Sequence, residues 1–226
     1  QKYKIASGEI NNHLMLEKIA KTGKDIILSS GLSNFTELDE TINFLKAYKN
    51  NISLLQCTTQ YPTCAEDIGL NVIHEMKMRY GLPTGLSDHS GKIYASLAAV
   101  SLGAEILEFH AIFNKQMFGP DSKSSLTINQ IQQLVDGVLF IEKCLKKKVD
   151  KTDMSKFKKL KNIFEKSLAV NRDIKSGDII LFEDLEAKKP LGYGIDSKEF
   201  KNVIGKKVNK DIKKWSFLKP EDIDEK

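Results

Sequence analysis

Cysteine is scarce in this chain, and long apolar runs are missing altogether. The three cysteines, Cys57, Cys64 and Cys144, are odd in number and lack the paired spacing of a zinc knuckle. They exclude a disulfide-built scaffold and are read as reduced thiols of a cytoplasmic protein. No stretch reaches the length of a membrane span and no signal peptide is visible, so no membrane is expected as a partner. Charge of one sign is also modest, at a net +5 over 226 residues. Lysine runs such as Lys146-Lys147-Lys148 and Lys158-Lys159 come without a recognition motif. They read as solvated helix faces, and no nucleic-acid partner is expected. Low-complexity tracts are absent, and the sequence is read as having no internal repeat.

What is present is an alternation of short aliphatic runs with helical patterns. Strands are expected at Tyr3 to Ser7, Asp25 to Ser29, Ser53 to Cys57, Thr84 to Leu86 and Glu105 to His110. Helices are expected at Asn12 to Thr22, after Asn34, at Ile68 to Tyr80, at Ile93 to Leu102 and at Thr127 to Lys147. Consecutive β-α units indicate a parallel sheet with helices outside it. A doubly wound sheet would satisfy that pattern. The polar residues at the strand ends (Ser7, Ser29, Thr58, Ser87 and His110) favour a β/α barrel instead. In a barrel, catalytic groups gather at the carboxyl ends of the strands.

A closed barrel needs eight strands, and five are read here, so a fragment with about three units preceding Gln1 is expected. Such a fragment alone is expected to be inactive. The organisation read is a barrel portion at 1–150, a linker at 151–162 and a small β-rich module at 163–226. In that module Ser167 to Val170 and Asp178 to Leu181 are the strand candidates. Single helical turns are expected at Glu183 to Leu185, Ser197 to Ile204 and Pro220 to Asp222.

Two histidines stand at strand ends beside acidic residues, in Ser87-Asp88-His89 and in Glu108-Phe109-His110. Two imidazoles so placed can hold one divalent metal and leave positions open for substrate. A lone strand-end histidine is more often a hydrogen-bonded structural group, and the pairing is what changes that reading. Asp88 is read either as the carboxylate that orients His89 or as a surface residue. His13 and His74 fall in helices and read as surface residues.

The runs Lys4-Ile5-Ala6-Ser7-Gly8-Glu9, Ile27-Leu28-Ser29-Ser30-Gly31, Gln56-Cys57-Thr58 with Tyr61-Pro62, Gly85 to His89, Glu108-Phe109-His110 and Gly119-Pro120-Asp121 occur in that order. In order and spacing they resemble the sialic acid synthase family. The resemblance implies a partial (β/α)8 barrel followed by an antifreeze-like (SAF) domain. It also implies condensation of phosphoenolpyruvate with an N-acyl amino sugar such as N-acetylmannosamine. The product would be an N-acetylneuraminate-type acid plus phosphate. A diacetamido sugar, giving legionaminate or pseudaminate, is the alternative, and a non-catalytic carbohydrate-binding protein is the alternative of another class.

By the same resemblance Lys4, Ser7, Ser29, Thr59 and Ser87 would contact phosphoenolpyruvate, although strand-end serines can equally cap the following helices. His89 and His110 would hold manganese, with magnesium or cobalt as alternatives. Tyr61, Asp121 and Lys189 would contact the sugar, and Glu9 would be an acid-base group or a sugar contact. A domain-swapped homodimer is implied, with Lys189 reaching the partner's site. The sequence departs from the family at Gln56, where histidine is common, and at Thr59, where some members have asparagine. A third departure is Lys189, which stands where arginine is common.

Overall fold

The computed structural model describes residues 1–224, and they divide into two compact units, Gln1–Lys148 and a second that begins at Val149. In the first unit six strands pair in strict chain order, all parallel. They are β1 (Lys2–Ile5), β2 (Asp25–Ser29), β3 (Ile52–Cys57), β4 (Thr84–Asp88), β5 (Leu107–Ile112) and β6 (Ser125–Thr127). Sequential order excludes the doubly wound alternative, whose strand order reverses midway, and matches the winding of a β/α barrel. The reading of five strands is corrected to six. β6 escaped because it is three residues long, Ser-Leu-Thr, with a single aliphatic side chain.

The helices between the strands are α1 (His13–Ala20), α2 (Phe35–Lys46), α3 (Leu70–Tyr80) and α4 (Tyr94–Ser101), with α5 (Ile128–Lys146) after β6. Local chemistry fixes their starts. Asn12 accepts from Met15 N at the head of α1. Asn34 with Glu37, and Thr127 with Gln130, form reciprocal capping boxes on α2 and α5. The strands and the inner faces of α1 and α2 bury Ile5, Leu16, Ile26, Leu28, Ile42 and Leu54 in one cluster. Each such side chain contributes about 1.5–3 kcal/mol on burial. Among the described residues no helix is long and apolar enough to cross a membrane.

In the second unit β7 (Ser167–Val170) pairs antiparallel with β8 (Leu185–Lys188). The strand expected at Asp178 to Leu181 is instead irregular, with one bridge from Ile179 to Lys207. The residues read as a linker run into a short helix, α6 (Lys158–Phe164), and Asn162 O accepts from Leu191 N at 3.0 Å.

This unit corrects a further reading, because it holds an internal repeat. Asn171-Arg172-Asp173-Ile174-Lys175 is matched by Asn209-Lys210-Asp211-Ile212-Lys213, and Glu183-Asp184-Leu185 by Glu221-Asp222-Ile223. The two copies exchange equivalent bonds. Ile174 N donates to Ile212 O at 2.9 Å, and Ile212 N to Ile174 O at 2.8 Å. Asp173 accepts from Lys213 Nζ and Lys214 N, as Asp211 accepts from Lys175 Nζ and Ser176 N. Arg172 pairs with buried Asp184, and Lys210 pairs with buried Asp222. Both copies turn through the left-handed region, at Gly177 (φ 89°) and at Trp215 (φ 66°).

Candidate functional site

The carboxyl ends of the first unit's strands surround a cavity of about 480 Å3. Register explains which side chains enter it. Cys57 on β3, Ser87 on β4 and Glu108 on β5 are successive register partners. His89 follows two residues after Ser87, and His110 two after Glu108, so the pleat sends each to the same side as its predecessor. Lys4, Ser7, Ser29, Thr59 and Tyr61 complete the polar lining.

At one end stand the imidazoles. The His89 and His110 ring centroids lie 5.2 Å apart, edge to face. His89 Nδ1 is 3.0 Å from Thr58 O. A carbonyl only accepts, so the proton sits on Nδ1 and Nε2 carries the lone pair. His110 Nδ1 faces Asp121 Oδ2 at 3.4 Å, which directs its Nε2 in the same manner. Tyr61 stacks on the His89 ring at 4.3 Å, with its hydroxyl 3.4 Å from His89 Nε2. Burial, with Cys57, Asp121 and Glu108 nearby, pushes the Tyr61 phenol above its ordinary pKa, so it stays a donor. Burial opposes a charged His89. Its contacts with Cys57 and Thr58 O, and the nearby Glu108 charge, outweigh that and raise its pKa.

Among the described residues no group of three or more His, Cys, Asp or Glu side chains gathers at metal-binding distance. Two oriented imidazoles are donors of a kind that could hold a divalent ion only if other ligands, such as water and substrate, completed its shell. They do not make a closed structural zinc site.

At the other end stand hydroxyls and a cation. Lys4 Nζ lies 3.1 Å from Glu108 Oε2, and Ser87 Oγ donates to the same oxygen at 2.7 Å. Ser7 Oγ accepts from Gly31 N at 3.0 Å and lies 3.5 Å from Cys57 Sγ. Burial pushes the Cys57 thiol up, but its bonds with His89 and Ser7 prevail and leave its pKa lowered. Ser29 Oγ is buried and has no hydrogen-bond partner among the described residues. Gly31 keeps this corner open, since a Cβ there would collide with Thr59, Ser7 and Cys57 side chains. None of the three serines caps a helix, because Asn12 and Asn34 cap α1 and α2 while α3 and α4 have no side-chain cap.

Nine of the residues singled out from sequence thus share one cluster: Lys4, Ser7, Ser29, Thr59, Tyr61, Ser87, His89, His110 and, through His110, Asp121. Glu9 does not line the cavity and binds Asn12 Nδ2 at 2.7 Å. Lys189 belongs to the second unit, where its ammonium lies over the Phe164 ring. Asp88 is neither of the things expected of it. It is buried and accepts from Ser90 N and Ser96 Oγ, holding the turn into α4, while Thr58 O orients His89. Sequence reasoning gave Glu108 and Cys57 no role, although both face the cavity. The signal was parity along the strand: Glu108 lies two residues before His110 and shares its face.

A family profile described as the NeuB family matches residues 1–150. The N,N'-diacetyllegionaminic acid synthase of Campylobacter jejuni is 39% identical over 96% of this chain and 65% of its own length. Human N-acetylneuraminate-9-phosphate synthase is 34% identical, over 91% of this chain and 57% of its own. The solved N-acetylneuraminic acid (sialic acid) synthetase of Leptospira borgpetersenii superimposes with a TM-score of 0.65 at 33% identity. That match covers 70% of this chain and 56% of that one. The chain spans less than two thirds of the length of these relatives, and it belongs to the NeuB family.

Proposed function

We propose that this NeuB-family chain condenses phosphoenolpyruvate with the open-chain aldehyde of an N-acyl amino sugar. The products are a nonulosonic acid and inorganic phosphate. One observation carries the reading: the buried Ser29 hydroxyl has no partner among the described residues and lines a cavity that also holds Lys4. Leaving a buried hydroxyl unpaired costs about 1–3 kcal/mol, which an anionic ligand would repay. Lys4, Ser7, Ser29, Thr59 and Ser87 suit the phosphate and carboxylate of phosphoenolpyruvate. His89 and His110 would hold a divalent metal, most simply manganese. When bound, that ion would supply Lewis-acid polarisation of the sugar aldehyde, worth several kcal/mol.

The methylene carbon of the enol then bonds to the aldehyde carbon, and water adds at the carbon that bears the phosphate. One water proton ends on the former aldehyde oxygen, and the other leaves with phosphate as the carbon–oxygen bond breaks and the ketone forms. Glu108 is the only carboxylate lining the cavity among the described residues, and it is the group placed to take the proton of that water. Tyr61, kept protonated, donates a hydrogen bond at the imidazole end. We read the second unit as an antifreeze-like domain and place Lys189 at the sugar of a second copy in a homodimer. Lys189 is exposed and directly follows β8. As a lysine it would offer a point charge rather than a bidentate clamp.

The test is phosphate release by the full chain with phosphoenolpyruvate, manganese and either N-acetylmannosamine or a 2,4-diacetamido sugar, against a chelator control. Metal-dependent release with one sugar establishes the reaction and identifies the substrate. Folded protein that releases none with either sugar leaves the carbohydrate-binding reading standing.

A further inference from the structure

The metal reading deepens at a residue that touches neither imidazole. His89 is followed by Ser90 and Gly91, and Gly91 turns at φ 65°. A Cβ on Gly91 would stand 2.2 Å from Lys123 O, so this loop lies tight against the backbone of the segment that joins β5 to β6. From that segment Lys115 reaches back. Its Nζ donates to Gly91 O at 3.3 Å and also to Ser125 O. Ser125 Oγ in turn donates to Asp121 O at 2.7 Å, and the Asp121 carboxylate faces His110 Nδ1. A continuous path therefore runs from the His89 loop through one ammonium to the support of His110.

We propose that Lys115 is a positioning residue whose ammonium clamps the two histidine loops together. By doing so it sets the spacing of the two imidazoles and the affinity of the pair for a divalent cation. The proposal rests on the metal reading above and goes beyond it. An ammonium suits the role because it is compact and carries several donors, enough for two carbonyls at once. Charge-assisted bonds of this kind are roughly twice as strong as neutral ones. Lys115 does not line the cavity, so it makes no direct contact with a ligand held there.

The experiment measures manganese binding to the full chain by calorimetry and by electron paramagnetic resonance, with no substrate present. The variants are Lys115→Met, Lys115→Arg and Ser125→Ala. Lys115→Met is expected to weaken manganese binding about 10–100-fold, the usual effect of losing an outer support of a metal ligand. Lys115→Arg, whose fork can also reach two carbonyls, should recover most of that loss. Phosphoenolpyruvate binding without metal should be the same in all three. Unchanged manganese affinity in Lys115→Met, or an equal loss in Lys115→Arg, would overturn the proposal. If Lys115→Met does not fold, Ser125→Ala decides: it keeps both carbonyl acceptors but releases Asp121, and unchanged affinity there also overturns it. A wild-type chain that binds no manganese sinks the metal reading, and this proposal with it. A wild-type chain that binds, with variants that bind as well, sinks the clamp alone.

Discussion

Replacing Glu108 by glutamine should separate binding from chemistry. In the free site Lys4 Nζ stands 3.1 Å from the Glu108 carboxylate. At that distance two unit charges attract by about 1.3 kcal/mol in a water-like dielectric and about 5 kcal/mol at an effective dielectric of 20. Both side chains are about one third exposed (34% and 37%), so the screened end of that range applies, about 1–2 kcal/mol. An arriving phosphate or carboxylate must share Lys4 with Glu108 and approach a like charge. Glu108→Gln removes both costs while its amide oxygen still accepts from Ser87. Phosphoenolpyruvate should then bind roughly 5–30-fold more tightly, the same 1–2 kcal/mol expressed as a ratio. Turnover should fall by about 10²–10⁴, the usual loss on removing a general base. The assay is calorimetric titration with phosphoenolpyruvate alone, set beside single-turnover phosphate release. Weaker phosphoenolpyruvate binding would refute the reasoning, because Glu108 would then be holding Lys4 in its binding position. Undiminished turnover would remove Glu108 from the chemistry.

Other perturbations read other parts of the molecule. His89→Ala should abolish manganese binding while leaving far-ultraviolet dichroism unchanged; retained binding would end the two-histidine assignment. Asp184 is buried and held by Arg172 and by Leu181 N, which keep its pKa below the ordinary carboxylate value. A depressed carboxyl stabilises the fold fully above its unfolded pKa, about 3.9, and loses that contribution as pH falls through the lower folded value. Asp184→Asn should therefore cost about 1–3 kcal/mol at pH 7. Its deficit against wild type should shrink as thermal unfolding is followed below pH 4, and a constant deficit would refute the assignment. In the repeat, Trp215→Gly relieves a left-handed tryptophan costing about 1–2 kcal/mol and adds about 0.5–1 of glycine entropy. A net gain of about 0.5–1 kcal/mol in urea unfolding is expected, and a loss above about 1 kcal/mol would show that the indole packs as a structural group. Gly177→Ala at the equivalent turn should destabilise.

β2 and β3 were legible because Ile26-Ile27-Leu28 and Leu54-Leu55 are aliphatic runs bounded by polar residues, and β1, β4 and β5 because each leads to a polar group beside turn chemistry. Helix starts at Asn34 and Thr127 were legible for the same local reason. β6 was not, since three residues paired to one neighbour give no period to detect. The repeat was hidden where its copies diverge most, at Ser176-Gly177-Asp178 against Lys214-Trp215-Ser216. There one copy carries the glycine that a left-handed turn prefers and the other a tryptophan. Besides the aliphatic pairs Ile174/Ile212 and Leu185/Ile223, what the two copies kept is polar: the aspartates that accept each other's turn, and the basic residues over buried Asp184 and Asp222. Hydrophobic periodicity carries no record of such pairs.

The clearest lesson comes from the two acidic residues beside the two histidines. By adjacency Asp88 looks like the partner of His89, one residue away, and Glu108 like a more distant neighbour of His110. Strand geometry reverses that order. Successive side chains point to opposite faces, so a carboxylate one residue from a strand-end histidine is sent away from it, while one two residues away is brought alongside. Asp88 accordingly turns outward and is buried against Ser96 of α4. Glu108 turns inward, to Lys4 and Ser87. The same parity puts Ser87 with His89 and Cys57 in register with Ser87. The site is thus one face of five consecutive strands read in steps of two, completed by the loops that follow them. Loop contacts such as Thr58 O on His89 and Asp121 on His110 have no such period. They bring together residues 31 and 11 positions apart, and only the folded chain reveals them.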